Sequence, residues 1–239
     1  MRWIYISPHL DDAIWSAGGL MYEQKLAGDQ VAVWTMLSGI PNSMGLSDFA
    51  SRLHERWGVR SAEHAMEGRR AENAAAAALL GAETEEFDFL DCIYRRGPAG
   101  EALYEKVFVP PHAADADLPR QLAEAIAERL APEDIPVFPL SIGGHVDHAI
   151  VRLAAGKVGR SVRYYADVPY LLNNRVQLFQ ETWWMEGELY KISPAGLNRW
   201  LEAIRAYASQ LEAEFGGSVQ MQAKISEYWA ERKGILMWK

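Results

Sequence analysis

Only one cysteine, Cys92, occurs in 239 residues, so no disulfide can form within the chain. No secretory leader is legible at the N-terminus either, and the two absences together set the expectation of a cytoplasmic protein. No apolar run approaches the roughly 20 residues that cross a bilayer. Basic charge is not in excess. There are 24 Lys and Arg against 32 Asp and Glu, a formal net charge of −8, which argues against a track for nucleic-acid phosphates. No repeat and no linker divides the sequence, so residues 1–239 are expected to form one domain with a large core. The dinucleotide fingerprint is missing as well: Ser16-Ala17-Gly18-Gly19 does not make Gly-x-Gly-x-x-Gly.

What is present is an alternation of apolar runs and helical patterns. Residues 2–7 read as a buried strand, 8–12 as a turn with Asp12 as helix N-cap, and about 13–27 as a helix. Residues 30–37 read as a second strand, and this order implies a right-handed parallel crossover. A polar segment follows from Ser38 to about Ala62, carrying Asn42 among its turn residues and a short helix near 47–57. Residues 63–80 form a helix with five consecutive alanines, expected to pack closely on the sheet and to stop at Gly81. Further strands are expected at 86–90, ending in Asp91, and at 135–140 and 162–166, with an edge strand at 188–192. Helices are expected at 118–130, 148–158, from Ser193-Pro194 to about 209, and at 218–232. The pattern is that of an α/β chain with a mostly parallel sheet.

Two clusters carry chemistry. Ser7-Pro8-His9-Leu10-Asp11-Asp12 follows the first strand, and His145-Val146-Asp147-His148 follows the fourth. Both therefore emerge at the carboxyl ends of parallel strands, where ligands bind in open α/β sheets, and could meet at the point where strand order reverses. Three His and three Asp exceed what a catalytic zinc needs: three protein ligands and one open position. His9 and Asp12 could face one ion, with His145 or His148 completing it. The surplus could supply a general base and an oxyanion donor. Side-by-side acids such as Asp11-Asp12 are unfavourable in a partly buried turn without a cation. His54, His64 and His112 are expected at the surface. Among the nine Trp and the other rings, Trp57, Tyr94, Tyr104, Trp183 and Trp184 could stack on a sugar face or seal the core.

These residues resemble the LmbE/PIG-L family of zinc-dependent N-deacetylases. The resemblance rests on strand-Pro-His-x-Asp-Asp, on Arg69-Arg70-Ala71-Glu72 with Ala76 and Leu80-Gly81, and on the late His-x-Asp-His, and it covers roughly residues 2–170. It implies a Rossmann-like three-layer fold, with a core over about 1–170 and a helical and edge-strand extension over about 171–239. It implies that His9, Asp12 and His148 hold Zn2+, that Asp11 is the general base, that His145 stabilises the oxyanion and supplies acid, and that Asp147 orients His145. Arg69 and Asp91 match substrate-contacting positions. Two residues depart from the family: Leu10, where Pro is usual, and Ala13, where Glu is usual; neither is a ligand position.

The expected activity is removal of an acetyl group from an N-acetylated amino sugar or its glycoside, a small-molecule substrate. An amidase on a non-sugar amide and a non-catalytic metal- or ligand-binding module are the alternatives. A homo-oligomer is left open. Segments 38–62, 92–116 and 170–187 are expected to shape the pocket.

Overall fold

In the computed structural model, residues 1–41 and 45–239 are described; Asn42, expected in a turn, lies outside them. The strands are β1 (Arg2–Ser7), β2 (Gln30–Thr35), β3 (Glu83–Glu86), β4 (Asp134–Pro139), β5 (Arg163–Tyr165), β6 (Gly187–Lys191) and β7 (Gly234–Trp238). The helices are α1 (Asp12–Leu26), α2 (Asp48–Trp57), α3 (Ala62–Leu80), α4 (Leu118–Ala127), α5 (Val146–Ala155), α6 (Arg175–Thr182), α7 (Pro194–Arg205), α8 (Ala208–Phe215) and α9 (Ser218–Arg232).

The strands form one seven-stranded sheet in the order β3-β2-β1-β4-β5-β7-β6. Strands β1 to β5 run parallel, and β7 is antiparallel to both β5 and β6. From β1 the chain winds outward through β2 and β3, then returns to the other side of β1 with β4. That reversal opens a crevice between the carboxyl ends of β1 and β4. Alternate residues of each central strand feed opposite faces. Trp3, Tyr5, Val31, Val33 and Val137 join a core under α1, α3 and α7, while Ile4, Ile6, Ala32, Trp34 and Phe138 join one under α4 and α5. Helices cover both faces, the expected three-layer arrangement.

Local reasons fix the details. Gly81, at φ +69, ends α3, and β3 begins two residues later, pairing Ala32 with Glu83 through Thr35 with Glu86. The third strand thus lies earlier than the expected 86–90. The alternating Phe87-Asp88-Phe89 stretch has already left the parallel ladder, and Asp88 makes an isolated antiparallel bridge to Leu37. The alanine helix packs on α1 and α7 more than on the sheet. The helix expected to reach about 209 breaks into α7 and α8 at Tyr207, whose ψ of 56 is not helical and whose hydroxyl donates to Asn73 Oδ1 on α3 at 2.8 Å. Strand β7 was not expected; it completes the sheet between β5 and β6. Gly18 and Gly19 find their use here. A Cβ on Gly18 would meet Trp200 Cδ1 at 2.7 Å, so their bareness lets α7 lie against α1. Trp200 is fully buried there, and its Nε1 donates to the carbonyls of Ile14 and Trp15 at 2.9 and 3.1 Å.

Candidate active site

The turn after β1 is braced by Ser7, whose Oγ donates to the His9 carbonyl and accepts from Ala13 N–H at 3.0 Å. Asp11, not Asp12, occupies the N-cap position of α1, and its side chain makes no capping bond. Both carboxylates are engaged elsewhere. Asp11 Oδ2 accepts from Arg69 NH2 at 3.1 Å, and Asp12 Oδ2 accepts from the His9 backbone N–H at 2.8 Å. The turn after β4 takes left-handed conformations at Ser141 (φ 64), Gly143 (φ 92) and Gly144 (φ 73). It delivers His145 as the N-cap of α5, with Nδ1 accepting the Asp147 N–H at 3.2 Å.

The two turns meet. His9 Nδ1 lies 3.1 Å and His148 Nε2 3.2 Å from the same atom, Asp12 Oδ2. Each ring is held from behind by a carboxylate. His9 Nε2 lies 3.0 Å from Asp147 Oδ2, and His148 Nδ1 lies 2.7 Å from Asp167 Oδ1. All five side chains are buried. When the rear nitrogens donate to Asp147 and Asp167, the neutral rings turn lone pairs toward Asp12 Oδ2. Three acceptors in such contact repel one another unless a cation lies among them. His148 Nε2 is buried and has no hydrogen-bond partner among the described residues. The donor set, two imidazoles and one carboxylate, is one that catalytic zinc takes, and each imidazole has the outer carboxylate that metal-bound histidines usually have. His9, Asp12 and His148 thus fit a divalent metal.

Without a metal, protons take that role. Burial works against a charged His148, but Asp12 and then Asp167 overcome it and raise its pKa to about 10. Burial opposes charge on His9 too, and Asp91, Asp12 and Asp147 hold its pKa well above the usual value. Asp12 is held well below the carboxylate range, against burial, chiefly by His148. Burial raises Asp11, with Arg69 opposing and Asp12 adding to it. His145 is pushed well below 6.5 by burial and by the neighbouring His9 and His148, which keeps it a neutral imidazole.

The expected contact between His145 and Asp147 exists through the backbone rather than the carboxylate. Asp147 Oδ1 accepts from Arg95 NH2 at 2.6 Å, and Oδ2 serves His9 and the Cys92 N–H. Asp91 is not the end of a strand. It lies five residues past β3, accepts the Ile93 N–H at 3.1 Å and sits 3.7 Å from His9 Nε2. Asp167 and Arg95 escaped the sequence reading. A single acid two residues beyond a short strand was the only available sign of Asp167, and Arg95 lies in an irregular stretch.

A cleft of about 560 Å³ opens over the site, lined by His9, Asp11, Asp12, Arg69, Asp91 and His145. Trp57 and Arg56 of α2, Gln210 and Glu214 of α8, and Phe108 and Tyr170 complete its walls. Of the rings proposed for sugar stacking, only Trp57 lines it. Tyr94 and Tyr104 are buried, their hydroxyls bonded to His54 and Asp115, and Trp183 and Trp184 are exposed away from it. His54 is likewise buried, contrary to expectation, because Tyr94 satisfies its Nε2 at 2.7 Å.

A family model described as PIG-L, GlcNAc-PI de-N-acetylase, matches residues 4–158. The chain belongs to the PIG-L family. A 2'-N-acetylparomamine deacetylase of Niallia circulans is 26% identical, covering 99% of this chain and 93% of its own length. A protein of the same name from Streptomyces fradiae is 33% identical over 71% of this chain and 57% of its own length. The zinc-inhibited form of teicoplanin deacetylase superposes with a TM-score of 0.84 at 26% identity, covering 100% of this chain and 97% of that one. The PIG-L relationship and the three-layer fold read from the sequence are thereby borne out. Among the described residues, no helix is long and apolar enough to cross a membrane.

Proposed function

We propose that this PIG-L protein is a zinc-dependent hydrolase that removes the acetyl group from the nitrogen of an N-acetylated amino sugar or its glycoside. The observation that carries this reading is the convergence of His9 Nδ1 and His148 Nε2 on Asp12, each ring backed by its own carboxylate, at the floor of an open cleft. The deacetylases of acetylparomamine and the teicoplanin deacetylase support the substrate class.

His9, Asp12 and His148 would hold the metal. When bound, a divalent ion acidifies water and polarises an amide carbonyl. The remaining steps belong to the chain. Asp11, beside the ligands and steered by Arg69, takes the proton of the attacking water. Burial raises its pKa against the pull of Arg69, which makes it a stronger base than a solvated carboxylate. His145 uses Nδ1 to accept a backbone N–H, so its neutral tautomer carries the proton on Nε2 and donates it as a hydrogen bond to the developing oxyanion. With Nδ1 taken by the Asp147 N–H, His145 has one proton, on Nε2, and giving it up would leave an imidazolate; in place of the acid role expected of His145, the proton that reaches the departing amine is the one Asp11 took. Acetate and free amine leave. Arg69, Asp91 and Trp57 would contact the sugar.

We read residues 1–239 as one working domain, since α8 supplies part of the cleft wall. The lone buried thiol of Cys92 supports a cytoplasmic setting. The test is acetate release by the metal-loaded protein from a panel of N-acetylglucosamine glycosides and simple N-acyl amides. Turnover confined to the amino sugars is expected. Turnover only of simple amides would overturn the substrate class, and none in any metal-loaded state would overturn the activity.

A further inference from the structure

We propose that Arg95 is a positioning residue: by dividing the two oxygens of Asp147 between itself and His9, it determines which nitrogen of His9 faces the metal. The inference rests on the metal-dependent reading above.

Arg95 lies directly after the short 3-10 turn Cys92–Tyr94, and its side chain is 8% exposed. Every part of its guanidinium is committed. NH2 donates to Asp147 Oδ1 at 2.6 Å, Nε to Asp115 Oδ2 at 2.9 Å, and NH1 to the Leu90 carbonyl at 2.9 Å. The group sits over the Tyr104 ring, 5.1 Å from its centroid, and the Tyr104 hydroxyl donates to Asp115 Oδ2. Arg95 is therefore fixed from three directions before it touches Asp147.

Asp147 is completely buried. With Oδ1 on Arg95, its Oδ2 is left to the His9 ring at 3.0 Å and the Cys92 N–H at 2.9 Å. An anionic Oδ2 opposite His9 Nε2 demands the tautomer with Nε2–H, which frees Nδ1 for a metal ion. Without the guanidinium, Oδ1 would be a buried acceptor with no partner. The carboxyl group would have to turn to find another donor. Turning takes the anionic oxygen from its place opposite His9 Nε2, and His9 can then present the wrong nitrogen. A buried ion pair whose only role is in the fold would leave metal binding unchanged, and this separates the two roles.

The experiment uses full-length, metal-stripped protein as wild type, Arg95→Met, Arg95→Gln, Arg95→Lys and Asp115→Asn. Co2+ affinity is read by chelator competition, Co2+ coordination by visible absorption, and folding by near-UV circular dichroism. Arg95→Met is expected to weaken Co2+ binding by about 10–100-fold, the usual effect of losing an outer-shell partner, and to alter the absorption bands. Arg95→Lys should recover part of the affinity. Asp115→Asn, which keeps the contact to Asp147, should lose less than Arg95→Met. A folded Arg95→Met protein with wild-type Co2+ affinity and spectrum would overturn the inference. If Arg95→Met does not fold, Arg95→Gln decides: its side chain is neutral and shorter, so Asp147 Oδ1 loses its cation, and wild-type Co2+ affinity and spectrum there overturn the inference equally. A wild-type chain that binds neither Co2+ nor Zn2+ overturns the metal reading and this inference with it.

Discussion

Asp167 Oδ1 lies 2.7 Å from His148 Nδ1, and its other oxygen accepts the Ile142 N–H at 2.9 Å. One carboxylate thus fixes both the ring and the loop that precedes His145. An imidazole whose rear N–H meets an anion is more basic at its front nitrogen and cannot turn. Asp167→Ala is expected to lower Zn2+ affinity by about 10–100-fold. Asp167→Asn, whose amide oxygen can still accept, should lose less. Chelator competition measures both, and wild-type affinity in Asp167→Ala would remove Asp167 from the site.

Asp11 differs from Asp12 in what it touches. Among the described residues its carboxylate meets Arg69 and no histidine nitrogen. Asp11→Asn should therefore leave Zn2+ content unchanged while kcat falls by about 10²–10⁴, the usual contribution of a positioned base. Metal analysis beside steady-state kinetics makes the distinction. Loss of metal together with activity would make Asp11 a ligand rather than a base.

How far the sequence could be read follows from where the information lies. His9, Asp11 and Asp12 sit within four residues of one another, as do His145, Asp147 and His148, so each cluster announced itself and strand periodicity placed both at one sheet edge. Asp167 and Arg95 have no such neighbours. Their partners are 19 and 52 positions away in sequence. Strand β7 was missed for the same reason, because its place depends on pairing with β5 and β6 and not on a local turn. The shift of β3 came from a true alternation, Phe87 and Phe89, that serves packing outside the ladder. His54 shows the reverse: a histidine read as surface becomes buried once Tyr94, 40 positions away, satisfies it.

Proton and metal compete for one place. In the metal-free protein, burial alone would lower the pKa of His148, but Asp12 and Asp167 raise it to about 10. A raised folded pKa means that this group's stabilisation is complete below the unfolded value of about 6.5 and is lost as pH rises through about 10. A metal must displace that proton. Zn2+ affinity should therefore rise with pH between about 6.5 and 10, by about tenfold per pH unit for each proton released. Calorimetry in buffers of different ionisation enthalpy counts the protons. Affinity independent of pH across this window would mean that His148 is already neutral in the apo site.

Trp200 fixes α7 against the site helix α1. It is fully buried and caps the carbonyls of Ile14 and Trp15, one turn from Asp11 and Asp12. Trp200→Ala should cost about 3–5 kcal/mol, as large-to-small core changes of aromatics do. Chemical denaturation should still show one transition, because β7 pairs with β5 inside the continuous sheet and α7 packs on α1 and α3. Gly18 supplies the sharper measurement. In wild type, Gly18→Ala drives a Cβ to within 2.7 Å of Trp200 Cδ1 and should destabilise by about 1–3 kcal/mol. In the Trp200→Ala background only Leu80 Cδ1, at 3.2 Å, stays close, and its flexible end can give by a few tenths of an ångström into the emptied space, so the better helix propensity of Ala should make the same substitution much less costly or neutral. The double-mutant cycle should therefore show coupling of the size expected for residues in contact. Additive costs would mean that α7 shifts off α1 to make room for the new Cβ and that Trp200 is not what makes Gly18 necessary.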